Sequence, residues 1–379
     1  MYFLITLIAF LSWLYLLAFR GGFWRVAVPN VPSNPAAPVS VAVVIPARNE
    51  AEGIADTVTS LLAQDHPGNL RIVLVDDHST DGTATIAREA AMRAGGAERL
   101  TIIDGQPLAE GWTGKLWAVS QGLEAANKLK PDFILLTDAD ITHAPDNVST
   151  LVRRMEHDGL DLASLMVRLS CQSSWEKALI PAFVFFFFML YPPRWAADPL
   201  ARTAAAAGGC MLVRPEALEH IGGIAAIRGS LIDDCALAAA IKQSGGMIRL
   251  DVTYDTFSTR LYQGWDEIWS MIARTAFTQL GYSTLLLVGT LVGLFLTYMV
   301  PPLATIFGHG WTRLFGIAAW AAMVVAFRPT LTLYGRSWAW GLALPLIALF
   351  YAAATVGSAV NYWSGRGGQW KGRAQAIRH

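Results

Sequence analysis

Three times before residue 145 a short apolar run stops abruptly at a cluster of polar residues, and this rhythm limits the folds open to the chain. Val41 to Ile45 is a β-branched run that stops at Pro46 and opens into Ala47-Arg48-Asn49-Glu50, after which a helical pattern begins near Ile54. Arg71 to Val75 stops at Asp76-Asp77-His78-Ser79-Thr80-Asp81-Gly82-Thr83. Phe133-Ile134-Leu135-Leu136 leads into Asp138-Ala139-Asp140, followed by Ile141. Short apolar runs alternating with helical stretches are the pattern of βαβ units, which build a parallel sheet and gather ligand-binding groups at the strand C-termini. The expected fold class is therefore α/β with a mostly parallel sheet.

The polar tips carry the chemistry. Asp138 and Asp140 stand one residue apart at the end of a buried run, so both carboxylates can lean on one ion, as suits a divalent metal carrying a diphosphate. Taken alone, D-x-D is also the pattern of a solvated acidic turn. Asp233-Asp234 opens the helical pattern Leu237, Ala240, Ile241, where carboxylates ordinarily cap free N–H groups. Lys115 follows Gly111 and Gly114 at the start of a helix over Leu116 to Asn127; it is placed either to reach a phosphate as a point charge or to sit in solvent. Gly208-Gly209-Cys210 precedes the strand-like Met211-Leu212-Val213 and serves a turn, a close approach of backbone to ligand, or both. His78 and His143 read as loop histidines, because hard Mg²⁺ prefers oxygen.

Composition sets the compartment. With 54% hydrophobic residues, 14 Trp and 17 Phe, the chain is too apolar for an ordinary soluble enzyme. A formal charge of zero gives no basic field for a nucleic-acid partner. Cys171, Cys210 and Cys235, an odd set without C-x-x-C spacing, argue against a disulfide framework or structural zinc and fit a reducing compartment.

Phe3 to Phe19 is an uncharged apolar stretch near the ~20 residues a bilayer crossing needs. It lacks a cationic n-region and a small-x-small cleavage site, so residues 1–25 read as an uncleaved anchor. Residues 26–39 form a Pro-rich linker, 40–260 the sheet domain, 261–282 an amphipathic helix, 283–363 a second membrane region and 364–379 a basic tail. Arg20 and Arg25 place the sheet domain in the cytoplasm of a multi-pass inner (cell) membrane protein.

The second membrane region holds three apolar blocks, Leu285 to Phe307, Leu314 to Phe327 and Trp338 to Val360. The first is broken at Pro301-Pro302, and the second is short unless it continues through Thr330 to Leu333. Three full crossings would put Arg366, Lys371, Arg373 and Arg378 outside, so one block is expected to be re-entrant or interfacial with the tail cytoplasmic. Ala178 to Tyr191, bounded by Pro181, Pro192 and Pro193, is too short to span and reads equally as a buried core helix or as an interfacial segment lining a lipid route.

Val44-Ile45-Pro46-Ala47-Arg48-Asn49-Glu50, Val75 to Thr83, Asp138-Ala139-Asp140 and Leu231-Ile232-Asp233-Asp234-Cys235-Ala236-Leu237 together resemble, in order and spacing, the inverting family 2 glycosyltransferases of GT-A fold. Gly111-Trp112-Thr113-Gly114-Lys115-Leu116-Trp117-Ala118, the membrane segments and the tail Trp370-Lys371-Gly372-Arg373 are most similar to the hopene-associated glycosyltransferases, relatives of ceramide glucosyltransferase. The resemblance implies a UDP-sugar donor, a lipid acceptor such as a hopanoid, and Mg²⁺ or Mn²⁺ on Asp138 and Asp140. It makes Asp234 the base and Asp233 its supporter, where the family carries Glu-Asp. An ordinary carboxylate is ionised at neutral pH, so no raised pKa is required of Asp234.

Pro46, Ala47, Arg48, Glu50, Asp76, Asp77, Lys115 and Asp138 are expected on the nucleotide, and nothing in the residues themselves separates uracil from guanine. Gly209, Cys210, Trp265 and Arg274 are expected on the acceptor and sugar side. Many processive relatives carry Q/R-x-x-R-W, of which Met271-Ile272-Ala273-Arg274-Thr275 keeps only the arginine, and the missing Trp weighs against a polysaccharide synthase or exporter. A silent nucleotide-sugar-binding scaffold would be expected to have lost Asp138, Asp140 or Asp234, and all three are present.

Overall fold

A computed structural model describes residues 2–30, 34 and 36–367, with the backbone of 369–370 and 373–374. Lys371 and Arg378 of the basic tail, the side chains of Trp370 and Arg373, and linker residues 31–33 and 35 lie outside the described residues. The chain forms two compact units, one from Met1–Ala27, Cys171–Arg194 and Leu261–Gly368, the other from Val28–Ser170 and Trp195–Arg260.

The second of these units is built on an eight-stranded sheet. Its strands are β1 (Val41–Ala47), β2 (Leu70–Asp76), β3 (Leu100–Asp104), β4 (Phe133–Thr137), β5 (Ile141–Thr142), β6 (Leu162–Arg168), β7 (Cys210–Val213) and β8 (Ile248–Ser258), ordered β3-β2-β1-β4-β7-β6-β8-β5. Every residue of β1 is buried, because helices cover both faces of the sheet and a parallel strand between two others has no wet side. Val41, Val43 and Ile45 face a core shared with the helices Ile54–Leu62, Thr83–Arg93 and Asn147–His157. Ala42 and Val44 face a core shared with Gly114–Asn127 and Asp233–Gln243. Truncating Ile45, which is fully buried, to Ala would cost about 2–5 kcal/mol.

The three apolar runs read from the sequence are β1, β2 and β4, and the sheet is mostly parallel as expected. The exception shapes the site. β7 lies antiparallel between β4 and β6, with Thr137 opposite Cys210, so the turn that leads into β7 is delivered to the C-terminal end of β4. A parallel strand there would carry its leading turn to the opposite edge.

The other unit is helical and strongly apolar. Among the described residues four helices could, by length and composition, cross a membrane: Tyr2–Phe19, Thr284–Phe307, Gly310–Leu333 and Trp338–Trp363. The block that looked short does run on through Leu333. Side-chain contacts fix the directions. Phe3 and Phe10 meet Phe315, while Trp13 stacks edge-on against Tyr298 and donates to the Thr297 carbonyl. Gly316 packs on Pro301, Ala304 and Thr305, so Gly310–Leu333 returns alongside the helix before it. Phe186 touches both Tyr298 and Tyr351, and farther along Tyr282 stacks on Tyr362 at 4.3 Å. The last helix therefore also runs opposite to Thr284–Phe307 and in the same sense as Gly310–Leu333. Between them the chain doubles back, and Gly341 lies against Val324.

Ser174–Leu190 is a helix of this unit, with Leu179, Ile180, Phe185 and Phe188 buried. Pro181, expected as a boundary, lies inside the helix. The start is set instead by a capping box: Ser173 Oγ accepts from Glu176 N, and Glu176 Oε2 accepts from Ser173 N. Glu176 Oε1 also accepts from Tyr262 N at 2.7 Å, tying this helix to the segment before Trp265–Gln279.

Candidate active site

The C-terminal ends of β1, β2 and β4, with the turn before β7, bring most of the predicted residues together. At the first two tips Asp77 N donates to Ala47 O at 2.8 Å, and Arg48 Nη1 donates to Asp77 O at 2.6 Å and lies 3.5 Å from Asp77 Oδ2. Asp77 is buried, whereas Asp76 keeps accessible surface while its Oδ1 accepts from Ser79 N at 3.0 Å. Asn49 and His78 both adopt positive φ (52° and 55°). Asn49 compensates by accepting from Thr80 N with its side chain, and Glu50 N donates to Thr83 Oγ1.

The second station is the end of β4. Backbone carbonyls clamp its Asp-Ala-Asp turn: Ala139 O accepts from Thr57 Oγ1 at 2.8 Å and Asp140 O from Thr259 N at 2.8 Å. Asp140 Oδ2 accepts from Ser258 Oγ at 2.8 Å. Burial, with the charge of Asp138, raises the pKa of Asp140, against the opposing pull of Ser258 and Arg260. Asp138 keeps about a third of its side chain exposed, and its Oδ1 lies 2.9 Å from Lys115 Nζ.

Lys115 is not solvated. Its Nζ also lies 3.1 Å from Asp233 Oδ2, so one ammonium joins the strand-end carboxylate to the pair at the start of the helix Asp233–Gln243. Burial pulls the lysine pKa down, but Asp138 and Asp233 outweigh it and the net shift is upward, keeping Lys115 charged. Asp234 is held by backbone: Oδ2 accepts from Gly208 N at 2.9 Å and Oδ1 from Cys235 N at 2.7 Å. Burial first, then the charge of Asp233, pushes its pKa up to about 6, while Lys115 and the two N–H groups oppose the rise. The ordinary carboxylate range expected from sequence does not hold here. A side chain on Gly208 would sit 3.3 Å from Lys115 Nζ and 3.5 Å from Asp234 Oδ2, so this glycine permits the close approach. A cavity bordered by Pro46, Lys115, Asp138, Gly208 and Asp233 opens where the two carboxylate stations meet.

Beneath the site lies a polar network that the sequence reading missed. His143 lies in the loop after β5, as expected, but is only 3% exposed. Thr137 Oγ1 donates to Gly209 O at 2.8 Å and lies 3.0 Å from His143 Nε2, which must therefore carry the ring proton. Nδ1 then accepts from Asn147 Nδ2 at 3.0 Å, and Asn147 Oδ1 accepts from Thr256 Oγ1 at 3.1 Å. Burial drives the His143 pKa down to about 3, so the ring stays neutral. The network fixes the residue before Asp138 to the turn that carries Gly209 and Cys210. In the sequence His143, Asn147 and Thr256 show only as scattered polar residues; the i, i+4 spacing of the first two was the available sign.

Trp265 and Arg274 lie on the helix Trp265–Gln279, which belongs to the other unit. Trp265 is half exposed, and the apolar stripe of the helix buries Ile268, Ile272 and Phe277.

Among the described residues no three His, Cys, Asp or Glu side chains converge as a metal cage. Asp138, at the edge of the cavity, and Asp140, two residues on, offer hard oxygen donors. That suits Mg²⁺ or Mn²⁺ held by one or two carboxylates and completed by substrate phosphates.

Residues 42–222 match the model of the Glycosyl transferase family 2. The chain is 32% identical over 153 residues to an N-acetylglucosaminyltransferase of Rhizobium leguminosarum bv. viciae, a match covering 40% of this chain and 33% of that protein. It is also 32% identical over 137 residues to the undecaprenyl-phosphate 4-deoxy-4-formamido-L-arabinose transferase of Edwardsiella ictaluri, covering 36% of this chain and 39% of the relative. The chain thus spans well under half the length of these curated relatives. Among solved structures it is similar to the mannosyltransferase PcManGT of Pyrobaculum calidifontis, solved with GDP-Man and Mn²⁺, at a TM-score of 0.59 and 20% identity over 96% of this chain and 99% of that one. That likeness is one of fold. Residues 42–222 carry a glycosyl transferase family 2 domain, built on a GT-A fold.

Proposed function

We propose that this protein is a membrane-bound inverting glycosyltransferase that moves a sugar from a UDP-sugar to a lipid hydroxyl, the lipid being a hopanoid. The observation that carries the reading is that Asp138 of one carboxylate station and Asp233 of the other line one cavity and are joined through Lys115. Inversion needs a base on one face of the sugar and charge neutralisation on the other, and two separate stations meet that need. A divalent ion on Asp138 and Asp140 would neutralise charge on the leaving diphosphate. Asp234 is the base. Its oxygens are oriented by Gly208 N and Cys235 N, and its raised pKa matches proton acceptance near neutral pH. Asp233 holds Lys115 in place and raises the basicity of Asp234.

The donor and acceptor follow from resemblance and from the company of membrane helices. A relative named for undecaprenyl phosphate favours a lipid acceptor, and the hopanoid assignment comes from the Gly111 to Ala118 motif and the tail. Helix directions support three crossings and one re-entrant block. Tyr2–Phe19 and Gly310–Leu333 run one way and Thr284–Phe307 the other, and the segment after Leu333 turns back before the last helix returns. With Arg20 and Arg25 cytoplasmic, residues 364–379 are cytoplasmic too.

The test is release of nucleoside diphosphate by the detergent-purified chain with Mn²⁺ and a panel of UDP- and GDP-sugars, with and without hopanoid-containing lipid extract. Lipid-stimulated release from a UDP-sugar is expected. Release from a GDP-sugar alone would overturn the donor, and release unaffected by lipid would overturn the acceptor.

A further inference from the structure

Lys115 does more in this site than contact a nucleotide. Its ammonium is 2.9 Å from Asp138 and 3.1 Å from Asp233, with only about a fifth of the side chain exposed. Asp138 is one of only two carboxylates at the metal station, and the other, Asp140, is committed to Ser258 Oγ through Oδ2. No third His, Cys, Asp or Glu completes a cage among the described residues. A bare divalent cation would therefore have to displace a lysine from Asp138, or lie beside its charge in a poorly solvated pocket, with too few protein ligands in return.

We infer that Lys115 competes with the divalent cation for Asp138, so that the metal ion is taken up together with a nucleoside diphosphate and not alone. The diphosphate changes both sides of the competition. Its oxygens complete the coordination of the ion, and its negative charge gives Lys115 a new partner. The four-carbon stem of lysine lets the ammonium move between a carboxylate and a phosphate while Asp233 keeps it near. The exchange has a catalytic use as well. A nucleotide sugar carries two negative charges on its diphosphate and the departing nucleoside diphosphate carries a third, so a cation released from Asp138 stands where charge grows.

The inference rests on the proposed donor site, and the experiment separates the two. Mn²⁺ binding to the detergent-purified full chain is followed by electron paramagnetic resonance, alone and with UDP or GDP. Wild type should bind Mn²⁺ weakly alone and about 10-fold or more tightly with a nucleotide, with the reciprocal gain in nucleotide affinity. Lys115→Met should bind Mn²⁺ alone about 10-fold more tightly than wild type and lose most of that coupling. Lys115→Arg, which keeps the charge, should stay close to wild type for Mn²⁺ alone.

Wild type that binds Mn²⁺ equally well with and without nucleotide overturns the exchange, and this arm needs no variant to fold. Unchanged affinity of Lys115→Met for Mn²⁺ alone does the same. Wild type that takes up neither UDP nor GDP in Mn²⁺ removes the donor site itself, and the exchange with it.

Discussion

The two carboxylate stations are made of the same residues and are built for different work. Asp138 and Asp140 lie in the turn that follows a strand end, one residue apart. Asp233 and Asp234 are adjacent at a helix start, where N–H groups converge. At the strand end each aspartate is met by a side chain, Lys115 or Ser258, which can let go. At the helix start Asp234 is met by two backbone N–H groups, which cannot. A ligand that comes and goes needs the first arrangement, and a base that must stay aimed needs the second.

Breaking each station in turn should give opposite signatures. Asp234→Asn keeps one of the two N–H contacts, on its remaining oxygen, sets an NH₂ donor against the other N–H, and removes the proton acceptor outright. Turnover should fall about 10³-fold or more with nucleotide affinity within a few-fold of wild type. Equal losses in turnover and nucleotide binding would show that Asp234 is a structural cap. Asp140→Ala should act on binding instead, lowering UDP affinity in Mn²⁺ about 10–100-fold while leaving metal-free affinity unchanged. If calorimetry finds the same affinity with and without Mn²⁺ in both wild type and variant, Asp140 is no metal ligand and the contrast between the stations dissolves.

The strand ends were legible because they depend on local pattern. Apolar runs that stop at Pro46, Asp76 and Asp138 give both the element and its polar tip, so the parallel half of the sheet and the polar residues at its strand ends could be placed by number. The antiparallel insertion of β7 was not legible. A four-residue apolar run is compatible with either direction, and only its pairing with β4 and β6 decides which end of the sheet receives Gly208 and Gly209. The burial of His143 was not legible for a related reason. Its loop position is local, but its burial comes from Asn147, Thr256 and Thr137, the first one helical turn away and the others on separate strands. The Lys115 bridge joins residues more than a hundred positions apart, and charge alone at position 115 fits solvent equally well.

The pH dependence sharpens the comparison by the smallest effect. Asp234 titrates near 6 because burial and the Asp233 charge both disfavour its anion. The base-competent form grows as pH rises through that value, so kcat/KM should be level above it and fall about tenfold for each unit below. The stability sign is opposite. With a folded-state pKa above its unfolded value, this carboxyl binds a proton on folding between the two, and its contribution weakens as pH climbs from the ordinary carboxylate range to about 6. Asp233→Asn removes the like charge beside it and should move the acid limb to lower pH, with Lys115 still paired to Asp138. An acid limb that stays in place in this variant would assign the titration to another group, and the helix-start station would lose the tuning that sets it apart from the strand-end one.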